Sequence, residues 1–116
     1  MTSSNYNDKE EKVTGGRNGF GAKLTNIFSM KFTIETQSSK HKKHYSQTFY
    51  DNMTRKDEPI ITAAKTGQDY TCIRFRPELK RFNMETLDDD TVALFTKRVY
   101  DLAGCTNKQV KVQLNG

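Results

Sequence analysis

Four of the seven glycines in this 116-residue chain fall at Gly15, Gly16, Gly19 and Gly21. Glycine loses more backbone freedom on ordering than any other residue, so neither a helix nor a strand runs comfortably through such a cluster. The run Thr14-Gly15-Gly16-Arg17-Asn18-Gly19-Phe20-Gly21-Ala22-Lys23 therefore predicts a loop. Residues 1–19 show no apolar period and extend that loop backwards. A pattern begins at Phe20, where Phe20, Leu24, Ile27 and Phe28 fall at i, i+4, i+7 and i+8, one face of a short helix opened by Asn18 or Gly19. A glycine loop delivered into a helix N-terminus suits an anion. Its backbone N–H groups can approach closely, the helix adds its positive end, and Arg17 and Lys23 flank it. The ordinary alternative is a flexible loop with a glycine-stopped turn. The run is not a Walker A loop, because Ala22 precedes and Leu24 follows Lys23. It is not a dinucleotide fingerprint either, because no strand leads into it.

Beyond the helix the period changes to two. Phe32 and Ile34 alternate with Lys31, Thr33 and Glu35. Tyr45, Gln47 and Phe49 alternate with Ser46, Thr48 and Tyr50 across a basic turn at Ser38 to Lys43, which predicts an antiparallel hairpin. Thr54 to Pro59 interrupts the pattern, Pro59 to Thr62 reads as a short edge strand, and a turn is expected around Gly67. Tyr70 to Phe75 is a strand ended by Pro77. Asp88 to Asp90 and Thr91 supply caps for a second helix carrying Val92, Phe95, Val99 and Leu102, with Gly104 as its stop. Val110, Val112 and Leu114 predict a final strand. The fold class is α+β with a mixed or antiparallel sheet and two main helices.

Length and charge set outer limits. At 34% apolar and 28% charged residues, with a mean hydropathy of −0.85, the composition is lean but not that of a disordered chain. The net charge of +5 admits a phosphate-bearing partner without naming one. No apolar run approaches the roughly 20 residues of a membrane span, so no membrane partner is expected. Cys72 and Cys105 lie far apart, which indicates neither a zinc site nor a disulfide framework. His41-x-x-His44 lacks further ligands and reads as part of a solvated turn. Arg74, Arg76, Lys80 and Arg81 could meet a DNA backbone, and an exposed strand end is the plain alternative.

The glycine run closely resembles the ATP lid of the eukaryotic-type type IIA topoisomerases, members of the GHKL ATPases. Thr2 to Tyr6, Lys12-Val13-Thr14, Leu24 to Phe28, Asp69 to Ile73, Tyr100 to Gly104 and Val112 to Gly116 resemble that family in the same order. The resemblance implies a partial GHKL (Bergerat-type) domain. In it, residues 1–23 form an ATP-contact loop and lid, and residues 24–116 form a helix, strands, a helix and a strand. It implies that Ser3, Ser4 and Asn5 contact the nucleoside side of ATP, and that Gly16, Arg17, Asn18, Gly19, Phe20, Gly21, Ala22 and Lys23 wrap the triphosphate. The amides of Asn18 to Gly21 would cradle phosphate oxygens, and Lys23 would pair with their charge. It further implies ATP with Mg2+, DNA as the substrate of a homodimeric parent enzyme, double-strand passage and a nuclear location.

The family's Glu base, its Mg2+-holding Asn and its Asp-x-Gly-x-Gly adenine turn do not occur in the chain, so no catalytic or metal-ligating residue is expected here. The chain is expected to be an internal segment, inactive by itself. Two other readings remain open at this point: a small basic nucleic-acid-binding module with an incidental glycine turn, and an inactive regulatory paralogue.

Overall fold

The structure, a computed structural model, describes Lys9, residues 16–65 and residues 67–116. Ser3, Ser4, Asn5 and Gly15 lie outside the described residues. The chain divides into two units, Met1–Glu78 and Leu79–Gly116. The lid run and the sheet share the first.

In that first unit α1 (Phe20–Ile27) leads into β1 (Ser29–Ser38), β2 (Lys43–Tyr50), β3 (Arg55–Lys56), β4 (Ile60–Ala63) and β5 (Tyr70–Pro77). The strand order is β3-β2-β1-β5, with β4 also paired to β2. Every pairing is antiparallel, as the α+β reading anticipates. The predicted hairpin is β1 and β2, with Phe32 opposite Phe49 and Ile34 opposite Gln47. Its turn is closed by Lys42 at φ 53°. On the other side of β1, Phe32 faces Phe75 and Ile34 faces Ile73. The period-2 alternation thus puts Phe32, Ile34, Phe49, Ile73 and Phe75 on one side of the sheet. Phe32 is fully buried and meets Phe49 edge-on, ring centres 6.3 Å apart. The other side carries Lys31, Thr33, Tyr50, Arg55, Arg74 and Arg76.

The Thr54 to Pro59 interruption contains β3, two residues long, which pairs with one end of β2 while β4 pairs with the other. Between β2 and β3, Asp51, Asn52 and Met53 all have positive φ, at 51°, 59° and 65°. Three consecutive non-glycine residues in the left-handed region need outside support. The Asp51 and Asn52 amides donate to the Met30 and Ser29 carbonyls at 2.9 and 3.0 Å. The Asn52 side chain donates to the Ile27 carbonyl at 2.8 Å and to Glu78 Oε2 at 2.7 Å. The Glu78 amide donates to the Phe28 carbonyl at 2.9 Å. The end of α1, the start of β1 and the end of β5 are therefore tied together around Asn52.

The second unit holds a 3-10 turn at Leu79–Phe82 and α2 (Asp89–Cys105). Asp88 caps α2, its Oδ1 accepting from the Thr91 amide at 2.8 Å. Two expectations need correcting here. Gly104 does not stop the helix: it lies inside α2, and Thr106 closes the end with its amide and Oγ1 donating to the Leu102 carbonyl at 3.1 and 2.9 Å. Residues 110–114 form no strand. No strand lies in this unit to complete a ladder, and Val112 and Leu114 instead share a shallow concavity of about 160 Å³ with Val99, Tyr100 and Ala103 of α2. The alternation there reflects an apolar stripe laid on a helix.

Candidate lid and helix N-terminus

Gly16 to Lys23 are consecutive at the entrance to α1. Gly16, Arg17 and Asn18 are exposed, and Arg17 to Gly19 form a bend. Gly19 is the N-cap residue, with φ 70° and ψ 19°, and no side chain caps the helix. A left-handed N-cap favours glycine, because an L side chain there meets its own backbone. The first turn has no acidic residue. An α-helix leaves its first four amides without an intrahelical acceptor, here those of Gly19, Phe20, Gly21 and Ala22. They are presented with the positive end of the helix and with no carboxylate of the first turn to occupy them.

The expected cradle of Asn18 to Gly21 amides is thus shifted one residue along, with Ala22 in place of Asn18 among the amides the helix leaves open. Gly21 lies within the helix, and its carbonyl accepts from Thr25 Oγ1 at 2.8 Å. A Cβ built on Gly21 or on Gly16 meets nothing within 4 Å. At Gly21 the demand for glycine is therefore room for an approaching ligand, whereas at Gly19 it is backbone conformation. The Phe20 ring is 60% exposed, which accords with a position where the backbone does the binding. Lys23 stands one turn further along and is half-buried.

The apolar face read in α1 exists but is largely uncovered within this chain: Phe20, Leu24 and Ile27 are 60%, 50% and 41% exposed. The buried residue of α1 is Asn26, and neither its Nδ2 nor its Oδ1 has a hydrogen-bond partner. Sequence periodicity could not have found it, since an asparagine between apolar positions looks like a solvent-facing one. Asn52 was likewise missed. Its signal is positional, an Asp-Asn pair directly after a strand, where left-handed backbone is tolerated.

Among the described residues no group of three His, Cys, Asp or Glu could hold a metal ion. Cys72 is half-buried and Cys105 exposed, and both are free thiols. His41 lies in the hairpin turn, and His44 on β2 sits 6.3 Å from the Tyr70 ring. No helix among the described residues is long and apolar enough to cross a membrane.

No family model matches the chain. Curated relatives match it from end to end. It is 57% identical over 116 residues to DNA topoisomerase 2 of Arabidopsis thaliana, covering 8% of that protein. It is 59% identical over 116 residues to DNA topoisomerase 2-alpha of Homo sapiens, covering 7% of it. The chain thus spans less than a tenth of the length of these relatives. Among solved structures, the ATPase region of Saccharomyces cerevisiae topoisomerase II bound to ICRF-187 (dexrazoxane) superposes with a TM-score of 0.81. That match has 49% identity and covers 88% of this chain and 27% of the other. The ATPase and transducer domains of DNA topoisomerase II from Balamuthia mandrillaris superpose equally well, at 48% identity.

Proposed function

We propose, from the end-to-end match to eukaryotic DNA topoisomerase 2 and to its ATPase region, that this chain is the ATP-lid segment of a type II DNA topoisomerase. The parent enzyme would be an ATP-hydrolysing isomerase that passes one DNA duplex through another, acting as a homodimer in the nucleus. The observation that carries the reading is the uncapped N-terminus of α1 on a left-handed Gly19, inside the stretch that resembles the lid.

The residues present fit a triphosphate. When bound, ATP supplies the phosphoanhydride whose hydrolysis drives the gate. The amides of Gly19, Phe20, Gly21 and Ala22 would donate to phosphate oxygens, and their preorganisation costs no rearrangement when charge builds up. Gly16 and Gly21 leave room for backbone to close over the phosphates. Lys23 and Arg17 would supply cationic charge. Ser3, Ser4 and Asn5 would meet the nucleoside side. Mg2+ has no ligand set among the described residues, and no step of the mechanism is assigned to it here.

A chimera tests this. Replacing the corresponding stretch of a homologous topoisomerase 2 with this chain is expected to preserve ATP-dependent DNA relaxation. Gly19→Val in that chimera is expected to reduce ATPase and strand passage at least a hundredfold, because a β-branched residue cannot hold the left-handed N-cap. Full ATPase activity in the Gly19→Val chimera refutes the lid assignment. The competing reading as a self-sufficient nucleic-acid module predicts an inactive chimera with unaltered glycine dependence.

A further inference from the structure

The sheet side opposite Phe32 is polar and ordered in rows. Antiparallel register aligns Arg76 of β5, Lys31 of β1, Tyr50 of β2 and Arg55 of β3 across four strands. At a strand spacing of about 4.8 Å this row spans about 14 Å. The next row is Arg74, Thr33 and Thr48. The row is held in place by its own contacts. The Arg55 guanidinium lies 4.5 Å from the centre of the Tyr50 ring and Lys31 Nζ lies 5.9 Å from it. The Tyr50 hydroxyl donates to Asp57 Oδ2 at 3.0 Å. Thr33 and Thr48 share a hydrogen bond of 3.1 Å.

Four cations and two hydroxyls thus stand on one face. Arg74 is paired with Glu35 at 2.7 Å and Arg55 with Asp51 at 3.6 Å. Lys31 and Arg76 have no carboxylate partner among the described residues. Lys31, Thr33, Arg74, Phe75 and Arg76 line a shallow concavity of about 220 Å³.

We infer that this face docks the phosphate backbone of double-stranded DNA. Two observations favour a nucleic acid over an acidic protein surface. The two rows offer cations and hydroxyls, the groups that contact phosphate and sugar oxygens. They lack the apolar anchor around which protein interfaces are built, since the large apolar side chains lie on the opposite side of the sheet. Duplex DNA presents a negative charge about every 1.7 Å of its axis, so a 14 Å row meets several phosphates at once. The contact reads no base sequence. It is independent of the nucleotide reading of the lid, so failure of one leaves the other standing.

The test is fluorescence anisotropy of a labelled 20-base-pair duplex against the 116-residue chain, from 50 to 200 mM salt. Wild type is expected to bind. Lys31→Gln with Arg76→Gln is expected to weaken binding on the order of tenfold at the low-salt end and to reduce the slope of log affinity against log salt by about 1.8. The charge-preserving pair Lys31→Arg with Arg76→Lys is expected to restore both, and far-UV circular dichroism checks that every variant folds. Lys108→Gln with Lys111→Gln, from the second unit, is the control and is expected to bind as wild type does. An unaltered slope in the Lys31/Arg76 glutamine pair overturns the inference. So do an equal loss in the control, absence of wild-type binding at 50 mM salt, and displacement of the duplex by polyglutamate at equal charge.

Discussion

Two asparagines show how differently one residue type can be used. Asn52 spends its side-chain amide on two acceptors from separate elements, and its left-handed backbone suits asparagine better than most residues. Asn26 is 1% exposed with both polar atoms unpartnered. A buried amide left in that state costs about 1–3 kcal/mol, whereas an apolar side chain of similar size incurs no such penalty. Asn26→Leu is therefore expected to stabilise the 116-residue chain by about 1–2 kcal/mol in urea unfolding. A loss of stability would mean that the amide has a partner after all. The glycines separate in the same way. Gly19 is required by a φ of 70°, and Gly21 is a helical residue with open space beside it.

At the scale of elements, most of what formed was written in period and punctuation. The hairpin of β1 and β2, the strand β5 and the two helices lie where alternation or a 3.6-residue period places them. The failures share a cause. Gly104 looked like a stop because glycine ends many helices, but a threonine two residues on offers both an amide and a hydroxyl to the Leu102 carbonyl. The stretch at 110–114 alternates like a strand, yet alternation only says that one side is apolar, not whether a ladder partner exists. Of the site, the loop, the glycine at the N-cap and the flanking cations were legible. Which amides the helix leaves open was not, because that depends on which residue takes the cap. The cap of α2 is also legible and carries a pH signature. Hydrogen bonding from Thr91 holds the Asp88 carboxyl below the usual carboxylate range. A lowered folded value means that the contribution is complete above the ordinary carboxylate pKa and is lost as pH falls through the folded one. Helical circular dichroism of wild type is expected to fall by roughly one turn of α2 on that descent. Asp88→Ala is expected to show that lower signal already at neutral pH, and Asp90→Ala is not.

For the molecule as a whole, the apolar surface is unevenly covered. Phe32 is completely enclosed, but Phe75 and Ile73 on its own side of the sheet are 49% and 43% exposed, and the α1 face is open. Contiguous exposed apolar surface of this kind marks a place where further protein sits. The 116-residue chain alone is expected to bind a hydrophobic dye such as ANS and to show no measurable ATP hydrolysis. The chimera is expected to lose the dye signal, and hydrolysis by the chain alone would contradict the proposed division of labour. The mooring around Asn52 has a mechanical counterpart. The bonds that fasten α1 to the sheet gather at its last turn, at the carbonyls of Thr25, Ile27 and Phe28. Eight residues of helix are a lever about 12 Å long. A tilt of roughly 10° about the moored end sweeps the amides at its tip through about 2 Å, the difference between a hydrogen bond and none. The glycine run would then be the free end of a stiff arm, and the pivot that times its swing would be an asparagine twenty-five residues away from the helix end it holds.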